Sequence, residues 1–476
     1  MNKYDTLLLL GIVLLPLGCT MAPNYARPEA PVPTAWPVGP AYAEAAAVTN
    51  AVIAADLGWQ AFFTDEKLRH VIAASLTNNL DLRAAALNVE LTRAIYGIQR
   101  AALLPSLGLG ASESKAGVPA DLSATGSRMT TTRYDANLGI VAWEVDFFGR
   151  IRSLKDRALY EYLSTEEARR SAQILLISAV AQAYLALAGD RECLHLAETT
   201  LTSQMEGYAL IKRRYDRGIV TELDLYRAQT QVDTARGDVA AFKQRVAQDE
   251  NALTLLAGGP LPAALLPTQV ADVTPPQAIQ AGLSSDVLLR RPDVVQSENI
   301  LKAANADIGA ARAAFFPRIS LTTAIGTASS ELSGLFKAGS GAWMYAPQIV
   351  MPLFDARTWS ALKAAKAQQK LAVTQYEKSI QSAFREVADA LAVRGTVNEQ
   401  VSAQESLAHA VAATYRLSKT RYEKGVDSYL SVLDAQRSLY RAQQGLVLLR
   451  FAKLVNQVHL YAVLGGGGDG SEFNPK

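Results

Sequence analysis

The chain is poor in the residues that build reactive centres. It holds 4 histidines and 2 cysteines among 476 residues. His70, His195, His409 and His459 lie apart on helical runs, with no paired cysteine and no HExxH spacing. Asp146 and Asp355 recur near the ends of strand-like segments, where a helix start explains them better than acid–base chemistry. No catalytic residue, metal ligand or cofactor is therefore expected. Charge of one sign is also missing: 47 basic residues face 45 acidic ones, so there is no footprint for nucleic acid. Aromatic residues make up 7%. With many Ala, Gln and Leu, that composition suits long helices in close lateral contact more than a thick globular core.

The apolar run from Leu7 to Leu17 is about half of what a bilayer-spanning helix needs, and it ends at Gly18-Cys19. This pattern is a leader with a cleavage point. LPLGC makes Cys19 the expected acylated N-terminus of a lipoprotein, with Pro16 an unusual residue in the motif. Cys193 then has no intramolecular partner and is expected as a packed thiol.

The chain carries an internal repeat. RRYDRGIVTELDLYRAQ, residues 213–229, returns as TRYEKGVDSYLSVLDAQ, residues 420–436. Arg214, Tyr215, Gly218, Leu223, Ala228 and Gln229 recur as Arg421, Tyr422, Gly425, Leu430, Ala435 and Gln436. Each copy predicts a helix stopped at Gly218 or Gly425, then a new helix capped by Thr221 or Ser428. The repeat argues for one body of two similar halves.

Each half has the same order. A Pro-rich strap over residues 20–42 and a short helix around 43–54 precede the first. Leu68, Val71, Ile72, Leu76, Leu80, Leu87, Leu91, Ile95 and Ile98 then predict a helix up to Pro105. Alternating segments at 106–114 and 134–143 predict two strands around a polar, turn-rich stretch. A proline-free run from Arg150 to Arg217 would span ~100 Å as one helix, with Gly189 a point of weakening midway. The second half repeats this, Pro317 standing in the place of Pro105, with Ile319, Leu321, Thr323 and Ile325 alternating before a second strand at 343–351. The expected boundaries are a leader at 1–18, strap and short helix at 19–63, helix at 64–105, β-hairpin at 106–143 and helical hairpin at 150–258 with its tip at 218–221. A connector at 259–285 leads to a helix at 286–316, β-hairpin at 317–352, helical hairpin at 356–464 with its tip at 425–428, and a disordered tail at 465–476.

Strands of about ten residues with apolar alternation are long enough to cross a membrane when tilted. Four strands cannot close a barrel, and an open edge is not viable in lipid, so a membrane barrel would be shared between protomers. The competing reading is a periplasmic coiled-coil lipoprotein, a scaffold or adaptor without a pore.

Leader cysteine, Pro-rich strap, two copies of helix–strand–strand–helix–tip–helix and the tip string RYEKGVDSYLSVLDAQRSL together resemble the TolC/OprM family of outer-membrane efflux channels. LPSLGLGASES, VPADLSATG and AWEVDFFGRIRSLKDRAL are similar to the OprM branch serving RND multidrug pumps. The resemblance runs from Cys19 to about Leu464 and implies a mainly α protein with a membrane β-barrel: a homotrimer whose 12-stranded barrel in the outer membrane continues into a periplasmic barrel of twelve helices. It implies passive export of drugs or other small toxic compounds, received from an inner-membrane RND pump through a periplasmic membrane-fusion adaptor. The tips Gly218, Ile219, Val220, Thr221 and Gly425, Val426, Asp427, Ser428 would meet the adaptor. Leu430 and Asp434, one turn apart, match positions that form constriction rings at the periplasmic gate. Arg421, Tyr422 and Arg437 would link helices around the closed gate. Composition by itself leaves open that Leu430 is core and that Asp434 is a solvated charge paired with Arg437. Arg214 and Tyr215 are expected to be more structural, since Arg227 stands where Asp434 stands in the second half.

Overall fold

A computed structural model describes residues 20–42, 52–280 and 284–467. In chain order the elements are β1 (Val52–Ile53), α1 (Trp59–Phe62), α2 (Glu66–Asn78), α3 (Leu80–Ala101), β2 (Leu107–Val118), β3 (Met129–Val145), α4 (Arg150–Tyr215) and α5 (Glu222–Ala257). There follow β4 (Ile279–Gln280), α6 (Pro292–Ala313), β5 (Arg318–Ser329), β6 (Gly341–Val350), α7 (Ala356–Glu423) and α8 (Tyr429–Val463). The chain divides into two compact units, Met1–Glu29 with Asn88–Thr165 and Gln296–Tyr376, and Ala30–Leu87 with Glu166–Val295 and Glu377–Lys476.

The first unit holds a four-stranded antiparallel sheet in the order β2-β3-β5-β6. Its register places apolar side chains in a row across all four strands: Leu109 opposite Leu138, Leu138 opposite Ile325, and Ile325 opposite Trp343. All four are exposed, Leu109 by 85% and Trp343 by 80%. The next row on the other face is Gly108, Gly139, Ala324 and Met344, mostly small. A β-bulge interrupts β3 between Ile140 and Trp143. There Ala142 takes a left-handed φ of 49° and its N–H donates to Thr322 Oγ1. Among the described residues, strands β2 and β6 each leave one edge unpaired.

The strands run past the expected limits, β2 for 12 residues and β3 for 17. Polar residues carry the pairing outward, Lys115 opposite Thr132 and Ser114 opposite Arg133, so periodic hydrophobicity ends before the ladder does. In the same unit the strap is latched to α6. Glu298, almost wholly buried, accepts from the Tyr25 hydroxyl at 3.0 Å and from two Arg27 nitrogens at 3.1 and 2.8 Å, and Lys302 lies 3.0 Å away. These donors hold the Glu298 carboxyl below its ordinary pKa against the opposing effect of burial.

The second unit is built on helix seams. Ile174, Ile177, Ala181, Tyr184 and Ala188 of α4 are buried at three- and four-residue spacing, as are Ile380, Ala383, Val387 and Ala390 of α7. Phe62 stacks on Tyr461 at 3.9 Å, beside the parallel pair β1 and β4. Cys193 is buried, and burial pushes its thiol up to about 11, consistent with an inert packed side chain.

Four expectations need correction. The helix of 64–105 is two helices, because Asn79 ends α2 and then caps α3, its Oδ1 accepting from Leu82 N–H while its amide donates to Leu256 O. Gly189 does not weaken α4, which is continuous over 66 residues. The short helix around 43–54 falls mostly on residues 43–51, outside the described residues; Val52–Ile53 is a strand and Ala54–Asp56 a 3-10 turn. Of the tail expected to be disordered, Gly465–Gly467 is packed, with Gly467 O accepting from Gln173, while 468–476 lie outside the described residues. The leader and Cys19 also lie outside them.

Candidate functional site: the paired helical tips

Both tips are built by the same backbone device. Gly218 at φ 71° and Gly425 at φ 76° adopt the left-handed conformation that glycine takes without steric cost. Gly218 N–H bonds to Tyr215 O and Ile219 N–H to Arg214 O; Gly425 N–H bonds to Tyr422 O and Val426 N–H to Arg421 O. This is a Schellman closure, and it sets an apolar residue just beyond each helix end. Here those residues face outward: Ile219 is 66% and Val426 61% exposed.

The helix starts differ. Thr221 forms a full capping box, accepting from Asp224 N–H while the Asp224 carboxylate accepts from the Thr221 N–H and hydroxyl. Ser428 occupies the matching position with an extended backbone, but its side chain makes no cap bond. The third residue of α8 is Ser431, which offers no carboxylate, and Asp427 is drawn to Arg421 by two hydrogen bonds of 2.6 and 3.0 Å. Those bonds hold the Asp427 carboxyl below its ordinary pKa and raise that of Arg421. The expected cap at Ser428 is therefore only positional. Val220 is half-buried between Ile219 and the Thr221 cap.

The two repeats meet through Arg214 and Tyr422. Arg214 Nη1 donates to the Tyr422 hydroxyl at 2.7 Å, and its guanidinium carbon lies 5.0 Å from the ring centre. Tyr422 packs against Tyr429, ring centres 5.1 Å apart. Burial pushes the Tyr429 hydroxyl up to about 12 and raises that of Tyr422, the latter against the pull of Arg214. Gly207 of α4 makes room for this group: a Cβ there would stand 2.3 Å from the Tyr429 oxygen. Sequence reasoning gave the linking role to Arg421, Tyr422 and Arg437 and a more structural role to Arg214 and Tyr215. Within one chain Arg421 is engaged with Asp427 and Arg437 with Asp434, while Arg214 bonds Tyr422 across the repeats.

Leu430, Asp434 and Arg437 form one exposed stripe on α8, while Val432, Leu433, Ala435 and Gln436 face inward. Leu430 is 43% exposed, so it is not core. Asp434 is ion-paired with Arg437 three residues on, both half-exposed. Gln436 donates to Ser203 Oγ at 3.1 Å, tying α8 to α4. Inward of the tips, a cavity of about 280 Å³ opens between α4, α5 and α8, lined by Gln204, Asp238, Gln436, Arg437, Tyr440 and Arg441 among others. Among the described residues no group of three or more His, Cys, Asp or Glu side chains is arranged to hold a metal ion. What the site offers is a helix seam with hydrogen-bonded latches and two exposed apolar points.

Residues 71–259 and 283–466 match the model of a family described as outer membrane efflux protein. The chain is 47% identical over 451 residues to the toluene efflux pump outer membrane protein TtgC of Pseudomonas putida, covering 94% of this chain and 93% of that one. It is 41% identical over 459 residues to the cation efflux system protein CusC of Escherichia coli, covering 96% and 97%. The crystal structure of the open state of the MtrE outer membrane channel of Neisseria gonorrhoeae superposes with a TM-score of 0.84 at 36% identity, covering 94% of this chain and 98% of that one.

Proposed function

From the chain's membership of the outer membrane efflux protein family, which makes it an outer-membrane efflux channel, we propose that it works as a homotrimer. Three four-stranded sheets then join edge to edge into a barrel of twelve strands, and the long helices continue it as a periplasmic duct of twelve. The observation that carries this is the sheet itself: an exposed apolar face backed by a face of small residues, with an unpaired edge on both β2 and β6. In lipid each edge would strand a row of backbone donors and acceptors, and joining to other copies satisfies them. The scaffold without a pore gives no role to that apolar face and is set aside.

Transport through the duct is passive. A periplasmic adaptor would seat on the Ile219 and Val426 tips, and an inner-membrane RND pump would deliver the cargo. Three copies of Leu430 and Asp434 around the axis would form an apolar and an acidic ring at the periplasmic entrance, with Arg437 as counter-ion. Cys19, acylated, would anchor the mature N-terminus to the outer membrane. The cargo is chosen upstream: relatives almost equally similar to this chain are named for toluene and for cations.

Single-channel recording of the detergent-purified protein in a planar bilayer tests the reading. Discrete, cation-favouring steps are expected. A protein that stays monomeric, or that needs no detergent once Cys19 is replaced by Ser, would overturn it.

A further inference from the structure

A second cavity, with cationic groups in its lining, lies in the second unit, away from the tips. It has a volume of about 230 Å³ and opens between β4, α7 and α8. Helical spacing brings its groups together: Arg394, Val397 and Asn398 share one face of α7, and Lys453, Asn456, Gln457 and Leu460 share one face of α8, while Gln277 to Ile279 close the third side. The lining contains two cations and no carboxylate.

The hydrogen-bond inventory is unbalanced. Arg394 spends Nη1 on Ile279 O at 2.7 Å, and its remaining N–H groups have no partner among the described residues. Burial without a facing acid holds its pKa below the ordinary value. Lys453 has no ion pair among the described residues, whereas Arg450, one turn before it, is paired with Glu405. Asn456, more than nine-tenths buried, commits its amide to Ala390 O. Two cations with uncommitted donors and no facing acid favour an anionic occupant.

We propose that this cavity is a binding site for a small oxyanion, of which hydrogenphosphate is the simplest. Its charged oxygens would accept from Lys453 and from the uncommitted N–H groups of Arg394. Sulfate, with the same shape and charge near neutrality, would compete for the same donors, and chloride, which cannot bridge them, would not. The bound ion would cross-link β4 to both long helices, and so would stabilise the unit without touching the conduction path. The inference rests on these side chains and not on the channel reading.

The test is equilibrium binding of inorganic phosphate to the full-length, detergent-solubilised protein at pH 7.5, with sulfate and chloride as competitors. Saturable binding that sulfate displaces and chloride at the same concentration does not is expected, with a rise in melting temperature on phosphate addition. Lys453→Met should weaken phosphate about tenfold, the loss of one charge-assisted bond. Arg394→Lys, which keeps the charge but alters the donor geometry, should weaken it as well. Circular dichroism establishes that each variant is folded. Absence of saturable binding to the folded wild-type protein would overturn the proposal. So would wild-type affinity in both folded variants. A Lys453→Met variant that binds phosphate normally but loses oligomer stability would assign the cavity to a contact between copies, and would equally overturn it.

Discussion

Arg214, near the end of the first long helix, donates a 2.7 Å hydrogen bond to the hydroxyl of Tyr422, near the end of the second. The bond joins the outgoing helices of the two repeats within one chain, directly above both tip turns. A duct that opens by separating these helices must break it. In Tyr422→Phe the ring stack on Tyr429 survives and the hydrogen bond does not, at a cost of about 1 kcal/mol. Larger single-channel conductance is expected than in wild type, and Arg214→Ala should reproduce it. Unchanged conductance in both variants would remove this pair from the gate.

Asp434 and Arg437 form a half-exposed ion pair on the outer stripe of α8. If three such pairs ring the entrance, Asp434→Ala leaves three uncompensated arginines there. Cation preference should then fall or reverse, and divalent cations should lose any blocking effect. Reversal potentials measured across a salt gradient decide the matter, and equal values in wild type and variant count against an axial position for Asp434.

Asp249 of α5 is raised to about 6, first by burial and then by the Asp190 carboxyl that faces it from α4, while Arg245 pulls the other way. A carboxyl raised in the folded state binds its proton more tightly there than in the unfolded chain. Its stabilising effect is complete below the unfolded pKa of about 4 and is lost as pH rises through about 6. Asp249→Asn mimics the protonated form. It should therefore raise the melting temperature at pH 7.5 by a few degrees and have little effect at pH 4.5. A variant less stable than wild type at pH 7.5 would show that the charge is needed.

Gly326 of β5 sits against the backbone of β3. A Cβ there would lie 2.1 Å from Ala136 O, and one at Gly139 would lie 2.2 Å from Thr323 O. No rotamer relieves a clash with backbone, so Gly326→Val should abolish assembly of the sheet, whereas Gly110→Ala, with its nearest atom at 3.5 Å, should be tolerated. The yield of detergent-folded protein with strand signal in circular dichroism separates the two.

Much of this architecture is legible in the sequence because repetition and periodicity are local properties. The glycine stops at 218 and 425, the helical seams and the four strands all follow from spacing within short windows. What spacing cannot supply is the partner of a side chain. Arg214 and Arg421 are equivalent by repeat, yet one bonds Tyr422 and the other Asp427, because the two tips approach each other asymmetrically. Nothing in the sequence around Gly207 signals the Tyr429 hydroxyl that packs beside it. Asn79 does carry a legible signal, since an Asn followed by a fresh apolar run is a capping pattern, but the apolar periodicity that continues through it masks the break. The strand ends were missed because Lys115, Thr131 and Arg133 pair through backbone, which hydropathy does not register.

The unpaired edges of β2 and β6 also constrain how the molecule can come into being. A solitary copy exposes 12 residues of strand on one border and 10 on the other, along with the apolar row from Leu109 to Trp343. In water that surface invites adhesion to any strand, and in lipid its amide groups are stranded. In the homotrimer proposed above, folding of the sheet and its joining to other sheets would therefore form a single kinetic event. The rate at which mature channel appears should climb more steeply than in proportion to the supply of new chains, and a cell making few copies would lose a larger share of them to proteolysis.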